Sequence, residues 1–121
     1  MLQAGLFADF KGADTLLLWG DAIGVADLRI AMAALPRGDG SRIPITSELS
    51  ISACDVHEHA SQLLQSSEGL EWICSRNSLA DAEALLAGME KGQTGHQYID
   101  ITSLADQVIA SQGEYPASLR P

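Results

Sequence analysis

A chain of 121 residues is the size of one domain, and 46% hydrophobic residues suffice for a core, which excludes disorder as a description of the whole. The 16 acidic against 7 basic residues leave a formal net charge of −9, which disfavours nucleic acid and anionic membrane as partners and fits a basic protein or a cation, or else serves solubility alone. The opening residues lack a basic leader with an apolar core, and the uninterrupted aliphatic run Leu16, Leu17, Leu18, Trp19 is far shorter than a membrane span; a cytoplasmic protein is expected, with free thiols at Cys54 and Cys74 and no cofactor.

In chain order, strands are expected over residues 6–10 and 15–19, with Gly12 supplying backbone freedom in a turn at 11–14. Leu16 to Trp19 do not alternate with polar residues, which suits a central strand covered on both faces. A helix over 23–35 has Asp21 as its cap, with Pro36, Gly38 and Gly40 beyond its end. Strands over 42–46 and 49–53 follow, and Pro44 marks the first as an edge or a bulge. Val56, Leu63 and Leu64 fall roughly at helical spacing, giving a connecting helix over 55–66. An apolar run from Gly69 leads to a second helix over 79–91, in which Ser78 and Asp81 form a capping box and Gly92 closes the end. Each helix is expected to carry one apolar stripe. Strands over 96–101 and 107–111 precede a tail, 115–121, that is ordered only by docking.

The chain repeats itself at an offset of 54. Val25, Leu28, Met32 and Leu35 correspond to Leu79, Ala82, Leu86 and Met89. The fold expected is α+β: two tandem β-α-β-β modules (6–54 and 69–115), preceded by one extra strand, joined by the linker helix and related by pseudo-twofold symmetry. They would form a mainly antiparallel sheet with the helices on one face. Strands connected through a helix could instead lie parallel. Neither half alone buries enough to be stable.

No motif of catalytic specificity is present, and a non-enzymatic protein is favoured. The segment Cys54, Asp55, Val56, His57, Glu58, His59 is rich in metal-ligating types, but on a helix His57 and His59 face in opposed directions, so a solvated linker is the better reading. His96, Tyr98 and Asp100 share one side of a strand, the minimum for general-base chemistry or a ligand site, though no nucleophile is identified beside them. Gly20 to Gly24 lack both the third glycine of a dinucleotide loop and the lysine of a phosphate loop, and read as a strand-to-helix turn. Trp19 and Trp72, near the ends of corresponding strands, read as core. Asp27, Asp81, Glu83 and Glu90 fall mostly on the polar sides of the two helices, and Asp100, Asp106 and Glu114 on the last strand pair and its exit; Asp81, Glu83, Glu90 and Asp100 are the candidate protein-binding residues, since a surface of that sign steers a basic partner, the alternative being a solvated face.

Residues 70–115 carry a strand, a helix with Leu79, Ala82, Leu85 and Leu86, the step Gly95-His96, and a strand running into a Ser-containing segment. This pattern resembles the small immunity-protein families of bacterial polymorphic-toxin systems. The resemblance implies an acidic protein that neutralises a toxin by binding it. The duplication departs from that pattern, and no binding residue is carried over. Edge strands beside Pro44 or at the chain ends would also allow a homodimer.

Overall fold

The computed structural model describes residues 1–35, 42–54, 61–89, 94–99 and 105–121. Among these residues eight strands and two helices run β1 (Leu2–Phe10), β2 (Ala13–Gly20), α1 (Ala22–Ala34), β3 (Ile43–Pro44), β4 (Leu49–Cys54), β5 (Ser61–Ser66), β6 (Gly69–Ser75), α2 (Arg76–Ala87), β7 (Gly95–Ile99) and β8 (Gln107–Gln112). The fold is α+β and mostly antiparallel. It differs from expectation in having two sheets, ordered β1-β2-β8-β7 and β3-β4-β6-β5.

Each module is ββαββ, so the strand read as an extra is the first strand of the first repeat. Its counterpart is β5. The linker helix expected over 55–66 is therefore corrected: residues 61–66 form a strand, paired antiparallel with β6 from Ser61↔Cys74 to Ser66↔Gly69. Within residues 61–66 Ser61 and Leu63 are buried and Gln62 and Leu64 exposed, the two-residue period of a strand. Residues 55–60, with His57 and His59, lie outside the described residues.

Each sheet combines the first hairpin of one repeat with the last hairpin of the other. The joins are the two parallel pairings, β2 with β8 (Leu16↔Val108, Leu18↔Ala110) and β4 with β6 (Leu49↔Leu70, Ile51↔Trp72). Parallel neighbours thus occur between repeats and not across a helix. Exchanging the halves maps one sheet order onto the other, the pseudo-twofold relation expected from the repeat.

Local chemistry accounts for the elements. Lys11 and Gly12, at φ 52° and 86°, make a two-residue turn with both central residues left-handed, the geometry that matches strand twist. Asp21 caps α1 by accepting from the Gly24 amide at 2.8 Å. The second helix is capped by Ser75, which accepts from the Ser78 amide at 3.2 Å, and begins at Arg76; the expected cap at Ser78 and start at Leu79 are corrected. Ser75 ends β6 as Asp21 follows β2, and the two lie 54 residues apart, so the repeat sets the cap where a local pattern had suggested Ser78.

One core unites α1, α2 and the inner faces of both sheets: Leu16, Leu18, Leu49, Ile51, Trp72 and Val108 lie against Val25, Leu28, Met32, Leu79, Ala82 and Leu86. α1 packs on β1, β2 and β8, α2 on β4, β6 and β7, and the helices pack on each other. Leu16 to Trp19 are all buried, as suits a central strand. The two tryptophans are core, yet not equivalent: Trp72 corresponds to Leu18 and points inward, donating to Ser61 Oγ, whereas Trp19 belongs to a second cluster with Phe7, Leu17 and Ile109 on the outer face of its sheet. The tail covers that outer face. Tyr115 and Leu119 pack on the cluster, and Trp19 Nε1 donates to the Pro116 carbonyl at 2.9 Å. Gly113, at φ +76°, turns the chain back, and a Cβ there would meet Thr94 Cγ2 at 2.7 Å.

Candidate functional site

An apolar groove of about 810 Å³ lies along the outer side of α1. Leu2 and Gln3 of β1 form one wall, Ile43 to Ser47 at β3 the other, and Asp27, Ile30, Ala31 and Ala34 of α1 contribute the floor. β1 and β3 each stand at one edge of their sheets, so the groove is the mouth between two such edges. Pro44, lacking an N–H, is placed at such an edge as expected. Gly20 and Gly24 let the chain start press against the helix: a Cβ on Gly24 would stand 2.8 Å from the Leu2 amide nitrogen, and one on Gly20 2.5 Å from the Met1 carbonyl. These glycines serve packing, consistent with a strand-to-helix turn.

The outer face of α1 is itself apolar. Ile23 is 72% exposed and Ile30 57%, with Ala33 and Ala34 also exposed and Asp27 between them. The expectation of a single apolar stripe is corrected for this helix, which carries apolar residues on its buried and solvent sides alike. That signal was present in the sequence AIGVADLRIAMAA, where Asp27 and Arg29 are the sole charges.

The acidic face expected on the second helix is only partly assembled. Asp81 is exposed on α2, but Glu83 is turned to Arg29 of α1 at 3.1 Å and ties the two helices together. Glu90 and Asp100 lie outside the described residues.

His96 and Tyr98 stand on β7, with their rings edge to face at 5.5 Å. His96 Nδ1 lies 3.0 Å from Glu114 Oε1, and the Ser111 hydroxyl donates to the same oxygen at 2.6 Å. The Ser111 hydroxyl holds the Glu114 carboxyl below its ordinary value against the opposing effect of burial, and His96 adds lesser contributions in the same lowering direction. Both side chains therefore turn to the carboxylate, whereas nucleophile activation needs Ser to face His. The cluster's evident work is to fasten the tail at Glu114 beside the Trp19–Pro116 bond. Among the described residues no three His, Cys, Asp or Glu side chains converge as metal ligands, and no helix is long and apolar enough to cross a membrane. Cys54 is half-buried and Cys74 buried, both unpaired.

The class defined at this point is an α+β protein of two interlocked ββαββ repeats with an apolar groove on one helix. No protein-family model, curated protein or solved structure matches the chain.

Proposed function

We propose that the protein is a non-enzymatic binding module that captures a basic partner protein through the groove along α1. The observation that carries this reading is the exposed apolar face of α1, with Ile30 lining the groove between two sheet edges and Ile23 exposed two turns before it on the same helix, on a chain of net charge −9. Buried apolar side chains supply affinity in such interfaces, and the surrounding negative field speeds encounter. An immunity protein or inhibitor that neutralises a basic toxin is the specific form of this proposal, suggested by the resemblance of residues 70–115. The unpaired thiols of Cys54 and Cys74 support a cytoplasmic setting.

The test is affinity capture from lysate at low and at high salt, followed by reconstitution with the purified candidate. A one-to-one complex with a basic protein, weakened by salt and by Ile30→Glu, is the expected result. Failure to reconstitute a complex with any captured protein would defeat the proposal.

A further inference from the structure

We infer that the exposed face of α1 receives a segment of the partner in which two large apolar side chains flank an arginine or lysine. This inference rests on the binding-module reading above and specifies the chemistry of what is bound.

The duplicated fold supplies its own control. α1 and α2 occupy equivalent places, with corresponding caps and corresponding buried residues, so the requirements of folding at matching positions are alike. The inward positions agree in both helices: Val25, Leu28 and Met32 match Leu79, Ala82 and Leu86, all buried. The outward positions do not. Where α1 exposes Ile23 and Ile30, α2 exposes Asn77 and Ala84, while Asp27 matches Asp81. The second repeat exposes a large apolar residue of its own, Leu85 at 38% where α1 has Ala31, but none at the positions of Ile23 and Ile30, so the fold requires none there. The two isoleucines of the first repeat answer to something other than the fold.

Their geometry describes the occupant. Ile23 and Ile30 are two helical turns apart, about 10 Å along the axis, and Asp27 lies between them on the same face. An occupant that covers both isoleucines also covers Asp27. Burying that carboxylate without a partner would be costly, and a guanidinium or ammonium set between two apolar anchors removes the cost. A second copy of this chain fits less well. A twofold contact between two α1 faces would bring Asp27 into the apolar patch of its own copy, and both chains carry −9. Charge complementarity favours a basic segment.

The test uses the full chain and a displayed library of random 12-residue peptides, selected at low salt. Enriched peptides should carry two large apolar residues flanking Arg or Lys. The variant Ile23→Asn/Ile30→Ala copies the second repeat's residues onto the first and is expected to fold as the parent does, checked by its thermal melt. It should weaken peptide binding by about tenfold or more. Asp27→Asn should weaken binding and flatten its salt dependence. Peptides that bind this double variant undiminished would overturn the inference while leaving the binding-module reading standing. Enrichment of acidic or uncharged peptides, or of none, would overturn it too. Reconstitution of a complex with a captured protein judges the broader reading separately. A concentration-dependent dimer in sedimentation equilibrium, abolished by the same double variant, would assign the face to a second copy and overturn the proposed occupant.

Discussion

Cys74 and Glu114 show how position resets the chemistry of an ordinary side chain. Burial against the core pushes the Cys74 thiol up to about 12, with the Ser61 hydrogen bond opposing, so little thiolate forms at neutral pH. Alkylation of the native protein should therefore label Cys54 first and Cys74 only after unfolding, which mass spectrometry of the labelled peptides would check. Glu114 moves the other way. Because its folded pKa is depressed, its ionised form favours the docked tail; that contribution is present above the ordinary value of about 4.3 and is lost as the pH falls through the lower folded value. Acidification through the ordinary carboxylate value and on through the lower folded one should accordingly loosen the tail, read as faster exchange of the Trp19 indole N–H, and Glu114→Ala should produce the same change at neutral pH. Gly113→Ala, forced into a left-handed conformation against Thr94, should cost about 1–2 kcal/mol in denaturant melts.

At the scale of elements, the helices and most strands were legible because each depends on neighbours in sequence. Asp21 next to an apolar run makes a helix start wherever it occurs, and Lys11-Gly12 makes a turn by its own backbone preferences. β5 was not legible. Leu63 is its one deeply buried apolar residue, so residues 61–66 carry too short a hydrophobic pattern to declare a period, and pairing with the distant β6 selects the strand. The cap of α2 escapes the local pattern for a related reason: Ser75 and Ser78 are alike as caps, and the choice between them rests on the end of β6 at Ser75 and on the correspondence of Ser75 with Asp21. Ser75→Ala should destabilise the protein by about 1 kcal/mol, whereas Ser78→Ala should cost less, a difference that paired thermal melts would resolve.

Across the whole molecule, the interlocked sheets make the halves interdependent. Residues 1–54 supply β1 and β2 to one sheet and β3 and β4 to the other, so each half alone has two hairpins with exposed inner edges and an open core. Each half expressed separately should be unfolded by circular dichroism, and mixing the two should restore signal only as a complex. Truncation after Gly113 should strip the cover from Phe7, Leu17, Trp19 and Ile109, lower the melting temperature and promote aggregation, measured by light scattering during the melt.

What the sequence by itself determined is the material that local periodicity and duplication encode: an α+β chain, two helices with matched buried faces, a buried central strand through Leu16 to Trp19, and an acidic surface. Of the candidate site, Asp27 and Asp81 were legible as exposed acids on helices, but the engagement of Glu83 by Arg29 and of His96 by Glu114 was not, since those partners lie on other elements. Tertiary structure alone decided that the repeats exchange hairpins, that the tail covers one sheet, and that the edges of β1 and β3 open a groove beside Ile30. These features depend on which edges meet, and pairings between residues as distant as Leu16 and Val108 leave no periodic mark on either segment.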